Sequence, residues 1–209
     1  MDPTDPNQLA SLASLFQQTL NPEQRKPAED QIGQLQAQPR FGFLLLALVQ
    51  SESTSTAIRL ASAIQFKNLC KTRWNVDAET EDPVFSAISD DEKQAIRQQL
   101  VPVLVSLASA PTPSQAILSQ MNESIALVAS SDFPEAWPAL IDELVSQLST
   151  DNHHVLLSVL ATSHAIFKQW RSQFRSDALY SEINLVLGKM ANPLLELLQR
   201  MHGMLLDPS

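Results

Sequence analysis

Apolar residues recur at helical spacing along most of the chain. Leu9, Leu12, Leu15, Phe16 and Leu20 fall on one face, as do Ile96, Leu100, Val103, Leu104 and Leu107, and again Ile117, Met121, Ile125 and Val128. The strict alternation of a half-buried strand is absent. Proline marks the starts. Asp5-Pro6-Asn7-Gln8, Asn21-Pro22-Glu23-Gln24 and Thr112-Pro113-Ser114-Gln115 each offer a capping oxygen, then Pro at the first helical position, then Gln two residues on, able to reach back to the cap. Pro is cheap there because its missing N–H has no intrahelical partner to lose. Ser89-Asp90-Asp91-Glu92 is a capping box without the Pro. The pattern predicts helices at about 5–20, 22–38, 41–51, 55–75, 90–109, 113–130, 135–149, 152–173 and 178–205. The one long connection, 75–89, carries Asp77, Glu79, Glu81, Asp82 and Pro83 and is expected to be a solvated, mobile loop. Asn192-Pro193 is expected to kink the last helix.

Taken in pairs, the first helices start near 5, 41, 90, 135 and 178, a recurrence of 36–49 residues. Helical hairpins at that period stack as HEAT or armadillo units, with a closed bundle as the competing architecture. The segment from Ser55 to Asn75 is apolar nearly all round, through Ile58, Ala61, Ile64, Phe66, Leu69, Cys70 and Trp74, as an inner helix packed on several sides requires. Its polar residues lie on narrow stripes: Lys67 with Lys71, Arg59 with Arg73, and Asn68 with Thr72 and Gln65. No Asp or Glu occurs between Ser53 and Val76, so this helix is locally cationic. At the far end Leu194, Leu197, Leu198, Met201, Met204 and Leu205 stay apolar where a solenoid needs a polar cap, which suggests an N-terminal piece of something longer.

Composition narrows the chemistry. The 209 residues carry a net charge of -9, which argues against a phosphate-backbone ligand and so against nucleic acid. The longest apolar run, Phe41–Val49, is under half of a membrane span. One cysteine makes no internal disulfide, and Cys70 among Leu69, Phe66 and Trp74 reads as a buried, inert thiol. Four glycines, with no Gly-x-Gly and no Gly-Lys-Ser/Thr, leave nothing to cradle a nucleotide. His153, His154, His164 and His202 show no metal spacing. Asp90-Asp91 and Glu79-Glu81 sit at a cap and in a loop, and no nucleophile–base–orienter set exists. The reading is therefore a binding protein, with no catalytic, metal or cofactor residues.

Several stretches in order resemble one family. Thr19-Leu20-Asn21-Pro22 lies between two short helices and is followed by Arg25-Lys26-Pro27-Ala28-Glu29. Ile58-Arg59-Leu60-Ala61-Ser62-Ala63-Ile64-Gln65-Phe66-Lys67-Asn68-Leu69 precedes Trp74. Both look like the N-terminal region of the importin-β (karyopherin) superfamily, and Ser131-Asp132-Phe133-Pro134-Glu135-Ala136-Trp137-Pro138-Ala139-Leu140 looks like its fourth-repeat signature. Val159 to Lys168, with Arg171, Phe174, Arg175, Leu179, Glu182-Ile183 and Leu185-Val186-Leu187, is similar to the CAS-type exportins that return importin-α to the cytoplasm. The resemblance runs from about residue 9 to 198. Gly42 and the Ala/Ser-rich second half are less bulky than the family leads one to expect.

The resemblance implies an all-α, right-handed α-solenoid of HEAT-type hairpins, about four and a half repeats in one domain over 1–209, with the importin-β N-terminal region at about 5–110 and continuing repeats over 111–209. It implies that the second helix of each pair lines a concave face. It also implies Ran in its GTP form and importin-α as cooperative partners, nucleoporins through the full-length protein, and shuttling between nucleus and cytoplasm. The family's later acidic repeats would lie beyond residue 209. Two alternatives stand beside it: an importin, in which Ran expels cargo, and a HEAT scaffold with no link to Ran.

On the matched inner helices, the candidate Ran contacts are Arg25, Glu29, Lys67, Asn68, Lys71, Asn122 and Glu123. Each has a plainer reading. The lysines can be solvated, Asn68 can bond a neighbouring element, Arg25 and Glu29 can form an i,i+4 pair, and Asn122 and Glu123 simply interrupt an apolar face. Lys168, Arg171 and Arg175 form a second acid-free basic stretch and are the candidate cargo contacts. Phe133 and Trp137 read as a packing pair, with Pro138 in the first turn of the next helix.

Overall fold

A computed structural model describes residues 1–76 and 87–206. It holds nine α-helices and no strand among them. In chain order these are α1 (Pro6–Thr19), α2 (Arg25–Gln36), α3 (Phe41–Gln50), α4 (Thr56–Arg73), α5 (Asp90–Ala108), α6 (Gln115–Asp132), α7 (Leu140–Ser146), α8 (His153–Gln169) and α9 (Asp177–Leu206), with a 3₁₀ turn at Trp170–Ser172. The expected mobile loop falls largely outside the described residues. Helices pair as α1/α2, α3/α4 and α5/α6, and the pairs stack in two rows. The odd-numbered helices form one row, α1 on α3, α3 on α5, α5 on α7 and α7 on α9. In the other row α4 packs on α6 and α6 on α8. This is the HEAT-type solenoid that the hairpin period announces, not a closed bundle.

The apolar stripes fill the space between the rows. Ile96, Leu100, Leu104, Ile117, Met121, Ile125 and Val128 are fully or almost fully buried. Leu12 and Phe16 anchor α1, whereas Leu20, expected on the same face, is half exposed because α1 stops at Thr19. α4 buries Ile58, Phe66, Leu69, Cys70 and Trp74, but Ile64 stands out in solvent. Burial pushes the Cys70 thiol well above its usual pKa range, so it is unreactive at neutral pH.

Polar side chains close the seams. Arg59 donates from Nε to Val49 O at 2.7 Å, and Arg73 donates to Gln36 O. Each guanidinium meets a carbonyl in the last turn of an earlier helix, α3 for Arg59 and α2 for Arg73, where carbonyls lack intrahelical partners and the helix dipole favours a cation. Arg25 Nε does the same to Thr19 O at 3.0 Å, and Arg200 donates to the carbonyls of Leu148, Ser149 and Thr150. Ser62 Oγ donates to Leu45 O, joining α4 to α3. Between α6 and α8, the Thr162 hydroxyl donates to Asn122 Oδ1 at 2.8 Å and Gln169 Nε2 to Ala126 O at 3.0 Å.

The helix starts need correction in three places. Asp5 caps α1 as expected, by accepting from the Asn7 N–H, although Gln8 reaches the Asp2 N–H instead of the cap. The chain over Asn21–Gln24 is a separate turn, closed by Glu23 N–H on Asn21 Oδ1, and α2 starts only at Arg25. α6 starts at Gln115 rather than 113. The helix expected at 135–149 shrinks to Leu140–Ser146, because the N–H groups of Ala136 and Trp137 fold back onto Asp132 O and consume the turn. Pro138 therefore precedes the helix rather than opening it. Phe133 and Trp137 are both buried, as a packing pair should be. α9 runs as one helix through Pro193.

Asp132 is the centre of that corner. The residue is only 8% exposed, and its carboxylate accepts from the Trp74 indole at 3.0 Å and from Arg97, so it ties together the ends of α4 and α6 and the middle of α5. At Ser89 only half of the capping box forms. Ser89 Oγ accepts from the Glu92 N–H, while the Glu92 carboxylate accepts from the Arg40 N–H at 3.0 Å and so holds the start of α3. Arg40 sits there in the left-handed region, with φ 65°. Gly42 has a packing reason too. A Cβ there would lie 3.1 Å from Ile96 Cδ1 and 3.4 Å from Leu69 Cδ2.

Candidate functional site

The row formed by α4, α6 and α8, the inner row, presents one face to solvent, and the ten candidate residues fall unevenly on and around it. Lys67, Lys71, Asn122, Glu123 and Lys168 line one open groove of about 660 Å³ that crosses α4, α6 and α8. Helical period explains the convergence. Lys67 and Lys71 are one turn apart on α4, and His164 and Lys168 are one turn apart on α8, so each pair faces the same way. Small residues, Ala126, Ala161 and Ala165, leave the floor open.

Lys67 and Glu123 meet across α4 and α6 at 2.8 Å, with 24% and 54% of their side chains exposed. Lys71, His164 and Lys168 are exposed, and among the described residues none of them has an ion-pair partner. Among the described residues the groove therefore carries one neutralised lysine and two uncompensated ones. Asn122 borders the groove, but its residue is only 9% exposed and its Oδ1 is engaged by Thr162. That bond joins α6 to α8.

The other candidates stand apart. Asn68 is exposed on α4 outside the groove, and its carbonyl accepts from the Thr72 hydroxyl. Arg25 is tied to Thr19 O rather than to Glu29, which is exposed one turn along α2. Only Lys168 of the basic stretch is on α8. The helix ends at Gln169 because Trp170 stacks on Phe167 with ring centroids 4.8 Å apart and donates its indole N–H to Glu182 on α9. Arg171 then falls in the 3₁₀ turn and Arg175 in the connection to α9, on either side of Phe174, which is 89% exposed. The stretch is thus two features, one groove lysine and one exposed Arg–Phe–Arg corner.

Sequence reasoning missed His164 and Gln169, the latter a groove residue that also bonds Ala126 O. The i,i+4 step from His164 to Lys168 was the available signal. Among the described residues no group of His, Cys, Asp or Glu can hold a metal. No helix of the described residues is long and apolar enough to cross a membrane.

Comparison with known proteins decides the family. The importin-beta N-terminal domain model matches residues 28–106, and the Cse1 family model matches 166–207. The chain belongs to the importin-β superfamily. Within the superfamily it is 34% identical to Exportin-2 of Drosophila melanogaster over 95% of this chain and 20% of that protein. It is 37% identical to the importin alpha re-exporter of Saccharomyces cerevisiae over 91% of this chain and 19% of that protein. A solved structure, the exportin Cse1 in its cargo-free, cytoplasmic state, superposes with a TM-score of 0.80 and 33% identity over 92% of this chain and 20% of that one. The chain thus spans about one fifth of the length of the relatives it matches. The groove across α4 and α6 joins the importin-β match to the hairpin that follows it. Its α8 wall runs into the Cse1-matching segment.

Proposed function

We propose that this chain is the N-terminal part of an exportin of the Exportin-2 type, which binds Ran-GTP on its inner helices and carries importin-α from nucleus to cytoplasm. The observation that carries the reading is the groove, where half of the residues picked out by family resemblance converge from three separate hairpins. The similarity to proteins named Exportin-2 and importin alpha re-exporter supports it. On this reading residues of about 5–110 form the Ran-gripping N-terminal region and 111–209 continue the solenoid. Lys71 and Lys168 steer and orient Ran. Exposed charges of this kind raise association rates and fix register more than they add affinity. Cargo contact stays with Arg171 and Arg175, whose exposed Phe174 adds an aromatic anchor of the sort that dominates protein interfaces. Coupled binding then follows from solenoid curvature, which both partners bias.

The test is binding of the chain to Ran loaded with a non-hydrolysable GTP analogue, against Ran-GDP. The expected result is preference for the GTP form, weakened about tenfold by Lys71→Glu with Lys168→Glu and more so at low salt. Equal affinity for both nucleotide states, unchanged by the double substitution, would return the chain to the scaffold reading.

A further inference from the structure

We infer that the groove across α4, α6 and α8 is a receptor for a carboxylate-bearing segment of a partner protein, and that Glu123 is its built-in competitor. The inference rests on the proposed Ran-binding reading for the identity of the partner, and on geometry for the rest. Three lysines and a histidine converge there, Lys67, Lys71, Lys168 and His164, against a single acid among the described residues, Glu123. In a chain of net charge -9, that local excess needs a reason. Glu123 already occupies one of the three lysines, with its carboxylate 2.8 Å from Lys67 Nζ. The contact joins residues 56 positions apart in sequence, on helices from successive hairpins, so it is not a local helix pair. Glu123 is the more exposed partner and Lys67 the more enclosed, so the glutamate can swing to water while the lysine stays in the groove. Among the described residues Lys71 and Lys168 have no ion-pair partner. The arrangement is that of a site holding a weak internal ligand on one of its three cations.

The chemistry fixes what can displace it. An incoming Asp or Glu offers Lys67 the same bond and, from neighbouring positions on the same segment, reaches Lys71 and Lys168 as well. It gains from all three while forfeiting only one exposed pair. Exposed pairs contribute little, so the internal competitor lowers affinity only about two- to fivefold. That is enough to select against single carboxylates and to favour segments with several.

The probe is a fluorescein-labelled octaglutamate peptide, titrated by anisotropy at low salt into the chain and its Glu123→Gln, Lys67→Met and doubly substituted forms. Ran-GTP is titrated in parallel, and the helical circular dichroism of each variant is checked. The expected result is about two- to fivefold tighter peptide binding for Glu123→Gln, with most of the gain absent in the Lys67→Met background. The inference is overturned by unchanged or weaker binding in Glu123→Gln. It is equally overturned by the same gain with and without Lys67, which would reduce Glu123 to a general charge, or by no peptide binding to either form. If the peptide behaves as expected and Ran-GTP ignores every form, the competitor stands and the Ran reading falls. If Ran-GTP binds but Glu123→Gln changes neither titration, the Ran reading stands and the competitor falls.

Discussion

Asp132 shows how much one side chain can be asked to hold. It is nearly buried, and it answers both the Trp74 indole and the Arg97 guanidinium. Asp132→Ala leaves a mostly buried cation and a buried N–H without acceptors and should cost about 3–5 kcal/mol in urea unfolding, with Asp132→Asn costing less because it keeps an acceptor for the indole. Glu143 on α7 is the opposite case. Burial raises its pKa, the Trp137 hydrogen bond only partly opposes this, and its Oε2 is buried with no hydrogen-bond partner. A raised folded pKa gives stability that is present below the unfolded value and lost as pH rises through the folded one. Glu143→Gln should therefore leave thermal stability unchanged near pH 4 and raise Tm at pH 7 by at most about 3 °C, the side chain being part-exposed. A lower Tm at pH 7 would refute this account. The lysine pair of α4 was legible because a helical stripe needs only spacing. The place of Asn122 on the inner-row face was legible too, but not its bond to Thr162, which lies 40 residues away and is announced by no local pattern.

Among the elements, those with long apolar stripes were readable to within a few residues, and α5 starts at the expected Asp90. The failures share a cause. At α2 and α7 a Pro marks the approach to the helix, but the chain spends those residues on a turn first, while before α6 Ser114 takes the cap position and the helix opens one residue later. Turn and first helical turn use the same residues, so sequence alone cannot order them. The Gly42 anomaly has the same lesson in packing form, since its reason is a side chain 54 positions away on α5. Gly42→Val should destabilise by about 1–3 kcal/mol through overpacking. Gly42→Ala should be near neutral, because a helix-propensity gain of about 1 kcal/mol offsets a contact that the end of Ile96 can relieve. Chemical denaturation of both variants checks the pair, and a comparable loss in each would show that the contact cannot relax.

At the scale of the molecule, the two rows were legible from the hairpin period, while the groove was not. It exists only because α4, α6 and α8 are laid side by side, and that requires knowing how the hairpins stack. Stacking also grades stability along the chain. α3 to α6 have neighbours on both sides, whereas α2 packs chiefly on α1 and α9 chiefly on α7. Amide hydrogen exchange should therefore be slowest in α3–α6 and fastest in α2 and the far end of α9. Uniform protection would refute the graded picture.

The arginine contacts to helix-end carbonyls have a mechanical consequence. Arg25 fastens α2 to α1, Arg59 fastens α4 to α3 and Arg200 fastens α9 to the turn that follows α7, so these seams are pinned at their ends by charged bonds. The α4–α6 seam is held at its buried end by the Trp74 indole on Asp132, and at the groove only by the more exposed Lys67–Glu123 contact. Under tension applied to its two ends, the molecule should behave as stiff links joined by softer couplings. Its first yielding would then be an opening of the α4–α6 seam at the groove, where Lys67 meets Glu123, with the Asp132 corner still closed.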